Sequence, residues 1–153
     1  MSLETVQEFF LKNKLPLTVI ETSKATGTVS EAAKAFGILE DEIAKTMGFL
    51  LKDDTCILIL MKGTAKVDNK KFKKVFKEKA KMIPFDRVED LTGHKPGGVC
   101  PFGLINPLKI YLDETLKEFE IMYPAGGTSH SAVKISVEML ANITKGTWVD
   151  ITK

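Results

Sequence analysis

Cysteine and histidine are scarce in this chain, two of each in 153 residues, and that scarcity excludes whole classes of chemistry. Cys56 falls in a strand-like run and Cys100 in a glycine-rich loop, with no spacing that suggests a disulfide framework or a metal site. Both are read as free thiols, and no metal is expected. No apolar stretch approaches the ~20 residues of a bilayer span. The start, Met1-Ser2-Leu3-Glu4, lacks the basic-then-apolar pattern of a secretion signal. The expected location is therefore the cytoplasm, with no membrane partner. The phosphate-loop pattern GxxxxGKS/T, the HExxH pair and the GxSxG elbow are all missing. Gly93 to Gly98 does not follow a strand and open a helix as a dinucleotide fingerprint should, so no cofactor is expected. Aromatic residues are few outside positions that read as core, so no stacking platform for single-stranded bases is expected, and DNA is not an expected partner.

What remains is an ordinary globular balance, 44% hydrophobic and 27% charged, which suits a soluble protein of one domain over residues 1–153. Helical and extended patterns alternate without a linker or repeat, the mark of a mixed α/β fold. Ser2 reads as the cap of a helix over Glu4 to Lys12, and Thr18 to Ile20 as a strand. Thr28-Val29-Ser30-Glu31 is a capping box for a helix that Gly37 closes. A short helix is expected from Glu40 to Ala44, ending at Lys45. Met47 to Leu51 and Cys56 to Met61, separated by Asp53-Asp54, read as a hairpin in the sheet core. Asp68 caps a helix with a buried stripe of Phe72, Val75 and Phe76. Lysines 70, 71, 73, 74, 77, 79 and 81 cluster there, either a solvated face or a landing surface for polyanions. Lys81 to Pro84 reads as a strand, and Asp86-Arg87-Val88-Glu89 as a capping box for a helix ending at Gly93. Lys109 to Leu112 is a strand, Glu114 to Phe119 a helix, Ile121 to Tyr123 a strand and Ala132 to Ile135 extended. Ser136 caps a helix through Leu140, and Thr147 to Val149 is the last strand.

The segment from Thr92 to Gly103 concentrates four glycines, two prolines, a histidine and a cysteine. Glycine lets a ligand approach the main chain and proline stiffens the turn, so such a loop can present backbone N–H groups to a carboxyl, ester or phosphate oxygen. Lys45, at the join with the first long strand, offers a compact ammonium for a phosphate oxygen. Cys100 could be a thiol nucleophile if His94 or His130 supplied a base. The two histidines lie one in each glycine-rich loop, the second being Ala125-Gly126-Gly127-Thr128-Ser129-His130, so convergence of the loops would bring Cys, His and backbone donors together. Packing is the alternative role for Cys100.

Lys45-Thr46 before an apolar strand, then Leu91 to Gly103, then Ala125-Gly126-Gly127 before Ala132-Val133-Lys134, resembles the YbaK/EbsC family, free-standing relatives of the editing domain of bacterial prolyl-tRNA synthetases. The resemblance covers nearly the whole chain, and the glycine loop is its most specific part. It implies a mixed sheet curled toward a barrel with short helices around it. It also implies hydrolysis of the ester joining a wrong amino acid to a transfer RNA, most often proline tRNA carrying alanine, cysteine or another small residue. By that resemblance Lys45 contacts the phosphate near the terminal adenosine, while Gly97, Gly98 and Pro101 shape the ester site. Thr46, His94, Val99, Cys100, Phe102, Gly126, Gly127 and His130 are the further substrate-binding candidates. No protein nucleophile is implied; water or the substrate's own groups attack, since an aminoacyl ester is already activated. The expected partners are the 3′ aminoacyl-adenosine end of a mischarged tRNA and prolyl-tRNA synthetase. The rival reading is a module of the same fold that binds an aminoacyl or nucleotide group without turnover.

Overall fold

The computed structural model describes residues 2–153, with side chains from Leu3 onward, so the expected cap by the Ser2 side chain lies outside the described residues. The fold is mixed α/β. Its centre is a four-stranded sheet in the order β2-β3-β4-β8, formed by Ala44–Leu50, Cys56–Lys62, Lys109–Asp113 and Thr147–Val149. β2 and β3 are the expected antiparallel hairpin, with Asp54 at φ 65° in its turn and the Asp53 carboxylate accepting from the Thr55 N–H. β3, β4 and β8 run parallel, which requires long crossovers.

β3 is buried along six of its seven residues, because both faces of the sheet are covered. Leu58 and Leu60 face a cluster with Val6, Phe10, Phe102 and Leu140. Ile57, Ile59 and Met61 face the opposite cluster around Phe49 and Phe72. The helices among the described residues are α1 (Ser2–Lys12), α2 (Val29–Phe36), α3 (Asn69–Phe76), α4 (Val88–Thr92) and α5 (Val137–Thr144). Two small ribbons complete the architecture, β1 (Val19–Glu21) with β6 (Ser131–Val133) and β5 (Ile121–Met122) with β7 (Ile135–Ser136). Among the described residues the ladders are three, with single bridges such as Ile43–Tyr123 and Ala125–Ala132 beside them.

Caps fall where the side chains dictate. Thr28 accepts from the Glu31 N–H, Asp68 from those of Lys70 and Lys71, and Ser136 from that of Met139. Several expectations differ. Lys81 to Pro84 forms a single bridge, Met82 with Phe49, rather than a strand, and Glu114–Glu118 is a 3₁₀ helix. Glu40–Glu42 is a single 3₁₀ turn, and Ala44 and Lys45 already belong to β2, because pairing of Ala44 with Lys62 outweighs helix propensity. Val75 is 41% exposed, so only Phe72 and Phe76 of the expected stripe face the core. No side chain caps α4; a 3₁₀ turn, Phe85–Arg87, runs straight into it.

β2 is an edge strand whose outer side is covered in two places. The Ala44 N–H donates to Tyr123 O at one end, and at the other Leu50 N–H donates to Lys81 O while Ile83 N–H donates to Gly48 O. By the alternation of an antiparallel strand, the N–H and C=O of Thr46 also point outward, and no described segment pairs with them.

Candidate active site

A cavity of about 160 Å³ opens beside the start of β2. Its wall comes from four stretches far apart in sequence: Thr26 to Ala32, Ile43 to Thr46, the glycine loop at Gly97 and Val99, and Tyr123 to Ala132. Two glycine contacts bring them together. A Cβ on Gly98 would lie 2.7 Å from Gly127 C and O, and one on Gly97, where φ is 91°, would lie 3.4 Å from the Gly27 Cα. The expected convergence of the two glycine loops is therefore backbone against backbone. Thr26 ties the ends together: its hydroxyl accepts from the Ser131 N–H at 3.2 Å and its N–H donates to Ser129 O at 2.6 Å.

The glycine loop has an open half and an anchored half. Gly97 and Val99 line the cavity, and their N–H groups have no acceptor within the described residues. The Gly98 N–H donates to Lys95 O at 3.0 Å, which closes the turn. Cys100, Pro101 and Phe102 are buried beneath. Phe102 stacks edge-on to Phe10, ring centroids 5.0 Å apart, so the loop is pinned to α1.

Several sequence candidates are thus apart from the cavity. His94, Cys100 and Phe102 have no exposed surface. Gly98 and Pro101 are buried, Gly126 packs against Val19 and Gly127 against Gly98. His130 is exposed and its Nδ1 lies 3.2 Å from the Ser129 hydroxyl; it does not line the cavity. The Cys–His pairing does form with the other histidine, His94 Nε2 lying 3.5 Å from Cys100 Sγ. It cannot serve as a nucleophile and base. Nε2 is also 2.7 Å from Phe102 O, an atom that only accepts, so this nitrogen carries the proton. Burial pushes the Cys100 thiol up to about 12. Burial likewise lowers the His94 pKa, against the pull of the same carbonyl. A thiol and a neutral imidazole packed in the dark of the core are inert.

Lys45 lines this cavity and also a cationic cleft on the other face of β2, with Lys66 and Asn69. Its ammonium donates to Ala65 O at 2.5 Å. That leans it to the Met47 and Phe49 side of the strand rather than toward the glycine loop. Burial first, then the charge of Lys66, lower its pKa. The Thr46 hydroxyl, in the cavity wall, is buried without a partner.

Sequence reasoning missed the contributions of Thr26, Gly27, Thr28, Tyr123 and Ser131. The capping box was the available signal, since it sets the N-terminus of α2 beside a glycine. As a chemical device the cavity combines an apolar floor of Val29, Ala32, Ile43 and Ala132 with unpaired amides, and among the described residues no carboxylate, imidazole or thiol lines it. Its size is below the ~300 Å³ at which drug-sized ligands begin to fit, so only a small group can enter.

The model of the aminoacyl-tRNA editing domain matches residues 23–143. The chain belongs to that family. An uncharacterized protein of Bacillus subtilis, YwhH, is 38% identical over 100% of this chain and 98% of its own length. A proline–tRNA ligase of Bacillus licheniformis is 31% identical over 59% of this chain, a match that spans 16% of the ligase. Among solved structures, a proposed trans-editing enzyme for prolyl-tRNA synthetase superposes with a TM-score of 0.90 at 29% identity, covering 99% of this chain and 97% of that one. The editing-family fold therefore surrounds the cavity just described. Among the described residues no helix is long and apolar enough to cross a membrane.

Proposed function

We propose that the protein is a trans-acting deacylase that hydrolyses the ester of a mischarged aminoacyl-tRNA, with proline tRNA carrying alanine or cysteine as substrate. The observation that carries this reading is the pairing of free Gly97 and Val99 amides with a small apolar floor in one cavity. The floor takes the amino-acid side chain. The amides stabilise the oxyanion that develops as water adds to the ester carbonyl, and one such donor is worth roughly 3 to 4 kcal/mol in the barrier. Gly98 and Pro101 act by holding the loop in shape. Lys45, at the edge of the cavity, receives the phosphate of the terminal nucleotide on its cleft side, as Thr46 walls off the ester. Proline is rejected by size, a discrimination of ~1–3 kcal/mol per methylene. Partnership with prolyl-tRNA synthetase, a cytoplasmic setting and a reaction without metal belong to the same reading.

The lack of any titratable side chain in the cavity other than Lys45 and Tyr123 also favours a second reading, a module that binds the aminoacyl end without turnover. One panel separates them: release of Ala, Cys, Ser, Thr and Pro from proline tRNA, by the native chain and by Lys45→Ala. For the deacylase, Ala and Cys esters are cleaved, the Pro ester is spared, and the variant loses about tenfold or more, since a hydrogen bond to a charged group contributes ~1.5–3 kcal/mol. Binding of mischarged tRNA with no release of any amino acid supports the module.

A further inference from the structure

A second recess, of about 240 Å³, adjoins the acyl cavity and has no role in the reading above. It shares Thr46 and Val99 with that cavity, and it shares Met82 with the Lys45–Lys66 cleft. All three hollows therefore meet around one short piece of β2. Among the described residues no charged one lines the recess; Gly48, Ile83, Val88 and Pro96 make it apolar. At its rim Phe85 is 79% exposed and Met82 51% exposed. This is the aromatic platform that the sequence alone did not reveal. Exposing a phenyl ring beside an apolar hollow is costly in water unless a ligand covers it.

The surroundings restrict what that ligand can be. It must be flat and uncharged to suit a phenyl face and an uncharged lining. It must be joined within a few atoms to the group in the acyl cavity, because the two hollows share a wall. It must also be joined to an anion, because the far side of Met82 opens on two lysines. A nucleotide bearing an acyl group on its ribose meets all three conditions. We propose that this recess is a nucleobase subsite, which takes the adenine of the tRNA 3′ end stacked on Phe85 while its ribose spans Thr46. The outward N–H and C=O of Thr46, unpaired among the described residues, lie where ribose hydroxyls would pass. The proposal rests on the deacylase reading for its choice of tRNA, and on the recess itself for its choice of base.

The test needs no turnover. Binding of AMP and of ribose 5-phosphate is measured by calorimetry on the native chain, Phe85→Ala and Phe85→Trp. Phe85 is a surface residue, so the variants fold, which thermal melts verify. AMP should bind the native chain about tenfold or more tightly than ribose 5-phosphate, that advantage should vanish in Phe85→Ala, and Phe85→Trp should keep it, as base stacking on an aromatic is worth ~1–3 kcal/mol. With mischarged tRNA, Phe85→Ala should raise KM by a similar factor and leave kcat within about twofold. Equal binding of the two probes, or AMP binding indifferent to Phe85, overturns the subsite. So does a dimer that Phe85→Ala dissociates with AMP binding unchanged, which gives the face to a second copy. Phe85-dependent AMP binding with no deacylation of any tRNA upholds the subsite and overturns the deacylase reading.

Discussion

His94 and Cys100 are the residues whose chemistry changes most between sequence and structure. Read along the chain, Cys100 is either a packing residue or a nucleophile with His94 or His130 as its base, and in space it touches His94, at 3.5 Å. What the sequence could not disclose is that both are fully buried, that one carbonyl, Phe102 O, accepts from each, and that His94 Nδ1 is left without a partner. Cys100→Ala should accordingly leave kcat for deacylation unchanged. Its cost should appear in the urea midpoint, as a small buried side chain is lost. His94 titrates below its ordinary value in the folded state. Between that lowered value and 6.5 the unfolded chain binds the extra proton, so stability rises with pH across that window and is lost as pH falls through it. Urea melts at about pH 7 and about pH 5 should show that loss, and His94→Gln should remove part of it. Lys45 has the same sign in the alkaline range, its ammonium giving up a proton earlier than a free lysine. The KM for tRNA should then climb with pH before that of Lys45→Arg, whose guanidinium stays charged.

At the scale of elements, local signals were strong and long-range ones silent. The hairpin of β2 and β3, the caps of α2, α3 and α5, and the left-handed Gly37 and Gly93 were all legible, because each is decided by neighbours in sequence. The join at Ala44-Lys45 was not, since strand pairing with Lys62 and Met61 decides it. The glycine loop was legible as a loop that presents backbone. Its division into an open half and an anchored half was not, because it depends on Phe102 reaching Phe10 in another helix. Gly98 gives that division a test. A methyl group there would meet Gly127 and Thr128 main-chain atoms at 2.7 Å, and backbone cannot move aside as a side-chain tip does. Gly98→Ala should destabilise by at least ~1–3 kcal/mol in urea melts and part the two loops.

Across the whole molecule, a single carboxylate joins the sheet to the last residues of the chain. Asp113, at the end of β4, is fully buried, and it accepts from Thr115 N–H and hydroxyl, Ile151 N–H and Thr152 hydroxyl. Four donors compensate its desolvation. Asp113→Ala should cost about 3 kcal/mol or more, since buried donors are left without a partner, and urea melts measure it. The lysines of α3 and the turn after it divide in two. Lys71 is engaged by Asp150 and by Thr152 O, whereas Lys73, Lys74 and Lys77 are exposed and outside every ion pair among the described residues. For RNA, removing Lys73 and Lys74 should weaken binding without regard to sequence and flatten its salt dependence, by up to about one unit of log-log slope for each phosphate no longer neutralised.

The partial covering of β2 carries a last consequence. An edge strand left bare invites a foreign strand to zip along it, and a strand sealed end to end admits nothing. Here, among the described residues, the seal is interrupted only between Ala44 O and Gly48 N–H, a stretch centred on Thr46 and too short to template a long foreign ladder. Thr46 keeps its own donor and acceptor in reach of a small molecule, so the same residue can greet a sugar hydroxyl and still refuse aggregation.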